Sequence, residues 1–371
     1  MSGKKLKRIT IKIGTKVLTD KRNRIDRKVI KGLADQISDL MDRKIEVIVV
    51  SSGAIGAGLG LLDLQKKGRS LSELQAIASV GQNHLMDIYN EYFNKRGYMA
   101  GQILLTQEDF NDRRRFLNIR YTLNTLLKYK AVPVVNENDS VSTEEIKCGD
   151  NDRLSGLVSD LADSDMLIIL TDVEGLYDKD SKLIRRVKGI TEAMEGLKDL
   201  CRGKGSDEST GGMTTKLEAA KNASKAGIEC VIAHGRRKNA IADIIDGSQI
   251  GTRFEASAKT MKARKRWIAF SIRSKGAVKV DEGAETALVK GKKSLLPGGV
   301  TKVRGRFNEG DVVDVLSHNG RVIARGLTNY SSGEIEKIKG RKTGEIEGVL
   351  GHKDYDEVIH RDNLVITGEG K

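Results

Sequence analysis

Residues 8–15 read RITIKIGT and residues 45–58 read IEVIVVSSGAIGAG, two β-branched apolar runs that each close on glycine and a hydroxyl. Between them, Asp26–Met41 sets Val29, Ile30, Leu33, Ile37 and Leu40 at helical spacing. This alternation recurs through residue 250. The expected strands are Arg8–Ile13, Ile45–Val50, Met99–Leu105, Val132–Val135, Met166–Leu170 and Glu229–Ala233. The expected helices include Asp26–Met41, Ser72–Lys95, Arg113–Lys130 and Thr214–Ala226. Strands that are apolar along their length are covered on both faces, and intervening helices allow parallel pairing. The fold class expected is α/β, an open, mostly parallel sheet sandwiched by helices. Ligands in such sheets bind beyond the carboxyl ends of the strands, where this chain keeps its glycines and polar residues.

After residue 275 the texture changes to short strands and turns: Ala277–Val280, Thr301–Val303, Val312–Leu316 and Val322–Gly326, with a turn at Pro297-Gly298-Gly299. This predicts a second, small, mostly-β domain with one or two short helices. The expected organisation is a first domain over 1–255, a basic linker over 256–275 and the β domain over 276–371. A chain of 371 residues is long enough for two cores.

Composition excludes several classes. No apolar run approaches the ~20 residues that span a bilayer. The N-terminus is basic, but Lys12 interrupts what would have to be an apolar export segment, so a cytoplasmic location is expected. Cys148, Cys201 and Cys230 are scattered, which argues for a reducing compartment and against disulfides or structural zinc. The five histidines have no metal-ligating spacing, so no protein-held metal is expected. The net charge of +14 invites a nucleic-acid reading. Residues 276–371, however, carry 16 Lys/Arg against 15 Asp/Glu, and 255–275 carry seven against one. The excess therefore lies in the first part and at the junction, as a solvated basic surface.

Six motifs carry the candidate chemistry. Lys12, followed by Gly14 and Thr15, can present an ammonium to phosphate at a strand end; taken alone, a lysine snorkelling from an edge strand is the favoured reading. The run SSGAIGAG at 51–58 suits an anion at a helix start, or simply a tight turn that needs small residues. NEND at 136–139 and KCGDND at 147–152 form a dense set of carboxylates and amides. An amino-acid substrate needs such a set, although Asp150 or Asn151 can also cap the next helix. TDVEGLY at 171–177 and TGGMTTK at 210–216 complete the series. The latter reads as a glycine loop opening into a helix, with hydroxyls and a lysine suited to nucleotide phosphates.

In this order, the motifs IKIGT (11–15), SSGAIGAG, NEND, KCGDND, TDVEGLY and TGGMTTK resemble the amino acid kinase family over roughly the first 255 residues. The SLLPGGV turn (294–300) and DVVDVL strand (311–316) are similar to a PUA domain. The resemblance implies an enzyme that phosphorylates the side-chain carboxylate of L-glutamate with ATP and Mg²⁺, opening proline biosynthesis. Alternatives are another member acting on N-acetylglutamate, aspartate or a nucleoside monophosphate, or an RNA-binding or RNA-modifying PUA protein. By resemblance, Lys12 and Lys216 contact the transferring phosphoryl group, and Asp152 holds those lysines. Ser52, Asp139 and Asn151 match substrate-binding positions, with Asp139 favoured for the α-ammonium. Thr171, Asp172, Thr210, Gly211, Gly212, Met213, Thr214 and Thr215 match nucleotide-binding positions, together with Lys12 and Lys216. The stretch Lys204–Gly212 is expected to close over the product. Further implied are proline as feedback inhibitor, a homo-oligomer (dimer or tetramer) and a downstream glutamyl phosphate reductase, whereas RNA binding stays open.

Overall fold

A computed structural model describes residues 6–20, 24–64, 68–141, 150–190, 196, 207–257 and 274–367. The chain divides into two compact units, Met1–Thr260 and Met261–Lys371. The first unit holds an eight-stranded sheet. Its strands are β1 (Arg8–Ile13), β2 (Glu46–Ser51), β3 (Met99–Leu105), β4 (Ala131–Glu137), β5 (Met166–Thr171), β6 (Arg186–Val187), β7 (Glu229–His234) and β8 (Thr252–Phe254). They lie in the order β3-β4-β2-β1-β5-β7-β8-β6, and only the β7–β8 pairing is antiparallel.

The period of two along each strand sorts side chains between two helical layers. Ile9, Ile11 and Ile13 of β1, Val47 and Val49 of β2 and Ile168 and Leu170 of β5 join one core cluster. Helices Arg27–Asp42 and Leu71–Asn94 cover that face with Ile30, Leu33, Ile37, Leu85 and Phe93. On the other face, Ile48 and Val50 meet Leu154 and Val158 of helix Asp150–Leu161, while Leu167 and Ile169 meet Leu217, Ala220 and Ala223 of helix Asp207–Lys225. Thr10 and Lys12 lie on this second face of the central strand, Thr10 between Ile48 and Leu167 and Lys12 between Val50 and Ile169 in register.

The glycines of SSGAIGAG have two structural uses. Gly53, at φ 105°, starts helix Ala54–Leu61 in a backbone conformation that favours glycine. Gly58 instead lets that helix cross Leu71–Asn94, since a Cβ there would lie 2.0 Å from the Ile77 carbonyl oxygen. The partner position is Gly81, whose Cβ would lie 1.8 Å from the Ala54 oxygen. Gly81→Ala is therefore expected to destabilise the unit by about 1–3 kcal/mol, the usual penalty of overpacking, read as a lower urea midpoint.

One local expectation fails. The stretch 210–216 is not a loop ahead of a helix, because helix Asp207–Lys225 already contains it. Of the expected closing segment Lys204–Gly212, residues 204–206 lie outside the described residues and the remainder is helical.

The second unit pairs β9 (Gly276–Val280), β10 (Val300–Gly305), β11 (Val312–Leu316), β12 (Val322–Leu327) and β13 (Leu364–Ile366) in the order β10-β9-β11-β12-β13. Val278, Val280, Val313, Val315 and Ala324 pack with Leu288, Ile335 and Ile338 from its helices. It holds three short α-helices among the described residues, Glu282–Val289, Ser332–Ile338 and Ile346–Leu350, where one or two were expected. No helix among the described residues is long and apolar enough to cross a membrane.

Candidate active site

The carboxyl ends of β1, β2, β4 and β5 gather the polar residues that the sequence singles out. Lys12 and Asp152 are the only charged residues buried among the described residues. Lys12 Nζ lies 2.6 Å from Asp152 Oδ1, and Lys216 Nζ lies 3.1 Å from Asp152 Oδ2. The side chain of Asp152 is fully buried, while those of Lys12 and Lys216 are 6% and 12% exposed. Thr215 Oγ1 donates to the same Oδ2 at 2.8 Å. Two lysines 204 positions apart in sequence thus share one carboxylate.

Helix geometry makes this convergence possible. Helices Asp150–Leu161 and Asp207–Lys225 pack closely, with Gly156 against Ala219, where a Cβ on the glycine would be 3.5 Å from the Ala219 oxygen. Asp152 in the first turn of one helix therefore faces Thr215 and Lys216 of the other. Lys216 Nζ also donates to the Gly212 carbonyl at 2.9 Å, so two of its three N–H groups are committed within the protein. Gly14, after β1, keeps the chain slim beside the site: a Cβ there would sit 3.6 Å from Lys12 Nζ.

The electrostatics follow from this pairing. Burial by itself would push the Asp152 carboxyl up, but Lys12, Lys216 and Thr215 outweigh it and hold the group below the ordinary carboxylate range. The group's stabilising contribution is thus complete above its unfolded value near 4 and is lost as pH falls through the lower folded value. Urea stability of the wild type is expected to drop more steeply as pH falls below about 4 than that of Asp152→Asn. Parallel curves for the two proteins would contradict this assignment.

Beside the lysines runs a line of amides. Asn151 Nδ2 donates to Ser51 O (3.3 Å), Ser52 Oγ (3.0 Å) and Asn136 Oδ1 (2.9 Å). The Asn151 side chain therefore reaches across to β2 and β4 and does not cap its own helix. Asn136 Nδ2 in turn donates to Gln82 Oε1 at 2.7 Å. Asp139 lies half-buried in the turn just after β4. At the end of β5, Thr171 Oγ1 donates to Asp172 Oδ1 (3.1 Å), and Lys16 Nζ lies 3.1 Å from Asp172 Oδ2. Burial would raise the Asp172 carboxyl, but Lys16 chiefly, with Thr171, brings it below the usual range.

The structure thus brings Lys12, Asp152, Thr215 and Lys216 together, and separately joins Ser52 to Asn151. Thr171 and Asp172 form a third group. Met213 packs against the core beside Leu217, so part of its side chain serves the fold. Thr214 is half-buried, and Thr210 and Gly211 belong to the helix backbone. Residues 147–149 of KCGDND lie outside the described residues. Lys16 and Gln82 are not among the residues the sequence singles out, and Asn136 is there without a role of its own. Asn136 sat inside a quoted motif, and Lys16 next to one. Gln82 carried no signal beyond being polar in an amphipathic helix.

Comparison with known proteins places the two units in known families. The amino acid kinase family matches residues 7–234, and the PUA domain matches residues 276–350. A glutamate 5-kinase of Caldanaerobacter subterraneus subsp. tengcongensis is 49% identical over 98% of this chain and 99% of its own. Glutamate 5-kinases of Thermoanaerobacter sp. (strain X514) and Moorella thermoacetica are 48% and 45% identical, each over 98% of this chain and over 99% and 97% of their own.

Proposed function

The chain belongs to the amino acid kinase family, and from that premise we infer that it transfers the γ-phosphoryl group of ATP to the side-chain carboxylate of L-glutamate in proline biosynthesis. Relatives named for this reaction align across both units, which favours glutamate over N-acetylglutamate, aspartate or a nucleoside monophosphate, and favours catalysis over RNA binding. The geometric observation that carries the mechanism is the buried carboxylate of Asp152 shared by Lys12 and Lys216.

The glutamate side chain, with a pKa of about 4.3, is ionised at neutral pH and needs no general base. Its difficulty is repulsion, because an anion must attack an anion. Two ammonium groups and one carboxylate leave a net positive charge where the carboxylate and phosphoryl oxygens meet. Among the described residues Lys216 has one N–H left after Asp152 and Gly212, and we assign it to a phosphoryl oxygen. Lys12 approaches the same group from the central strand, and Asp152 is a positioning residue that fixes both. Ser52, Asp139 and Asn151 hold glutamate, while Thr171, Asp172 and the first turns of helix Asp207–Lys225 lie toward the nucleotide.

Mg²⁺ fits this site as a passenger on the nucleotide. Both Asp152 oxygens face lysines, and no group of three or more His, Cys, Asp or Glu among the described residues could hold a metal ion. Carried on the β- and γ-phosphates, the ion would add countercharge there. The acyl phosphate product hydrolyses readily, so the reading includes a glutamyl phosphate reductase that consumes it and a cytoplasmic setting where ATP is at hand. Proline as feedback inhibitor and a homo-oligomer, dimer or tetramer, belong to the same reading through the family.

Hydroxylamine traps acyl phosphates as hydroxamates and so tests the reaction. With MgATP, hydroxamate is expected from glutamate well above that from aspartate or N-acetylglutamate. Equal or absent glutamate-dependent product would remove the assignment.

A further inference from the structure

Gln82 lies on helix Leu71–Asn94, next to Gly81, where that helix meets Ala54 at the start of the helix after Ser52. It is 8% exposed. Its Oε1 accepts from Asn136, but its Nε2 is buried with no hydrogen-bond partner among the described residues. Asn151 Oδ1 is likewise buried and unpartnered.

The orientation of these amides is fixed by backbone groups at two points. The Ser51 carbonyl can only accept, so Asn151 must turn its NH₂ toward it. The Glu137 N–H donates to Asn136 Oδ1 at 2.8 Å, so Asn136 must turn its oxygen that way and its NH₂ toward Gln82. Gln82 then presents its oxygen to Asn136 and is left with a donor. The line therefore has one unpaired acceptor at Asn151 and one unpaired donor at Gln82. A buried donor without a partner is destabilising; a ligand that supplies an acceptor removes that penalty.

We propose that Gln82 is a substrate-recognition residue whose Nε2–H donates to the α-carboxylate of glutamate. This rests on the reaction inferred above. The γ-carboxylate of the substrate must face Lys12 and Lys216 to be phosphorylated, so the α-carboxylate is the anionic acceptor that remains for Gln82. The acceptor at Asn151 Oδ1 suits the α-ammonium, so the two unpaired atoms complement the two charges of a zwitterion.

The test compares glutamate with 4-aminobutyrate, which keeps the reacting carboxylate and the amine but lacks the α-carboxylate. Gln82→Met, of similar length and without polar ends, is measured by hydroxamate formation. The expected result is a KM for glutamate raised about ten- to a hundredfold, the factor carried by a hydrogen bond to a charged group. The KM for ATP should stay unchanged, and the kcat/KM for 4-aminobutyrate should fall far less than that for glutamate. A proportional loss with both acceptors would overturn the proposal, because it would mean that Gln82 acts only by holding Asn136. An unchanged KM for glutamate would overturn it as well. Should the variant not fold, wild-type protein with ¹⁵N-labelled glutamine side chains decides. One side-chain amide signal is expected to shift on adding glutamate and not 4-aminobutyrate, and no glutamine signal responding to glutamate would refute the contact. Failure of the wild type to form any hydroxamate from glutamate would instead strike the reaction assignment itself.

Discussion

Asp152→Asn is expected to lose about 3–5 kcal/mol of stability and at least about a hundredfold in kcat. Asp152 is fully buried and compensates two ammonium groups that are themselves almost fully buried. Asparagine keeps the shape and one acceptor but removes the charge, which leaves two like charges facing each other away from water. Such a pair either repels or gives up a proton, and both outcomes remove the geometry that the reaction needs. Urea unfolding reads the first effect and steady-state hydroxamate formation reads the second. A stable, active Asp152→Asn protein would mean that the carboxylate organises neither the fold nor the lysines.

Lys216→Met separates catalysis from stability. Asp152 keeps Lys12 at 2.6 Å and Thr215 at 2.8 Å, so its charge stays compensated. The methionine stem replaces the lysine stem against the same helix, and the urea midpoint is expected to fall much less than for Asp152→Asn. The rate is another matter. One N–H aimed at developing negative charge in a site shielded from water is worth roughly two to three powers of ten. The expected pattern is a kcat lowered about a hundred- to a thousandfold, with the KM for glutamate nearly unchanged. Full activity would exclude Lys216 from the reaction.

Much of the first unit was legible because strands apolar on both faces fit little besides a helix-covered sheet. The six expected strands, among them Met99–Leu105, are all present. Lys12 was legible as a candidate only in company: a charged residue within an apolar strand demands a buried partner, but the sequence cannot say which of many carboxylates supplies it. The sequence pattern starts helix Asp207–Lys225 too late because Gly211 and Gly212 oppose helix formation. Tertiary packing overrides that preference, with Leu217, Ala219 and Ala220 fully buried and the Gly212 carbonyl held by Lys216. Gly58 belongs to a run that suits either an anion at a helix start or a tight turn; its close approach to Ile77 is a helix crossing that no local pattern encodes. Gln82 was invisible for a similar reason, since its role depends on Asn136 from a strand 54 positions away.

The most direct test of the lysine pair is a single-turnover measurement on Lys12→Met with saturating MgATP and glutamate, following transfer of the labelled γ-phosphoryl group. Phosphoryl transfer at least about a hundredfold slower than wild type, with the nucleotide still bound, is the outcome that the shared Asp152 carboxylate predicts. A wild-type transfer rate would contradict it, because the anions would then be meeting without the ammonium group on β1.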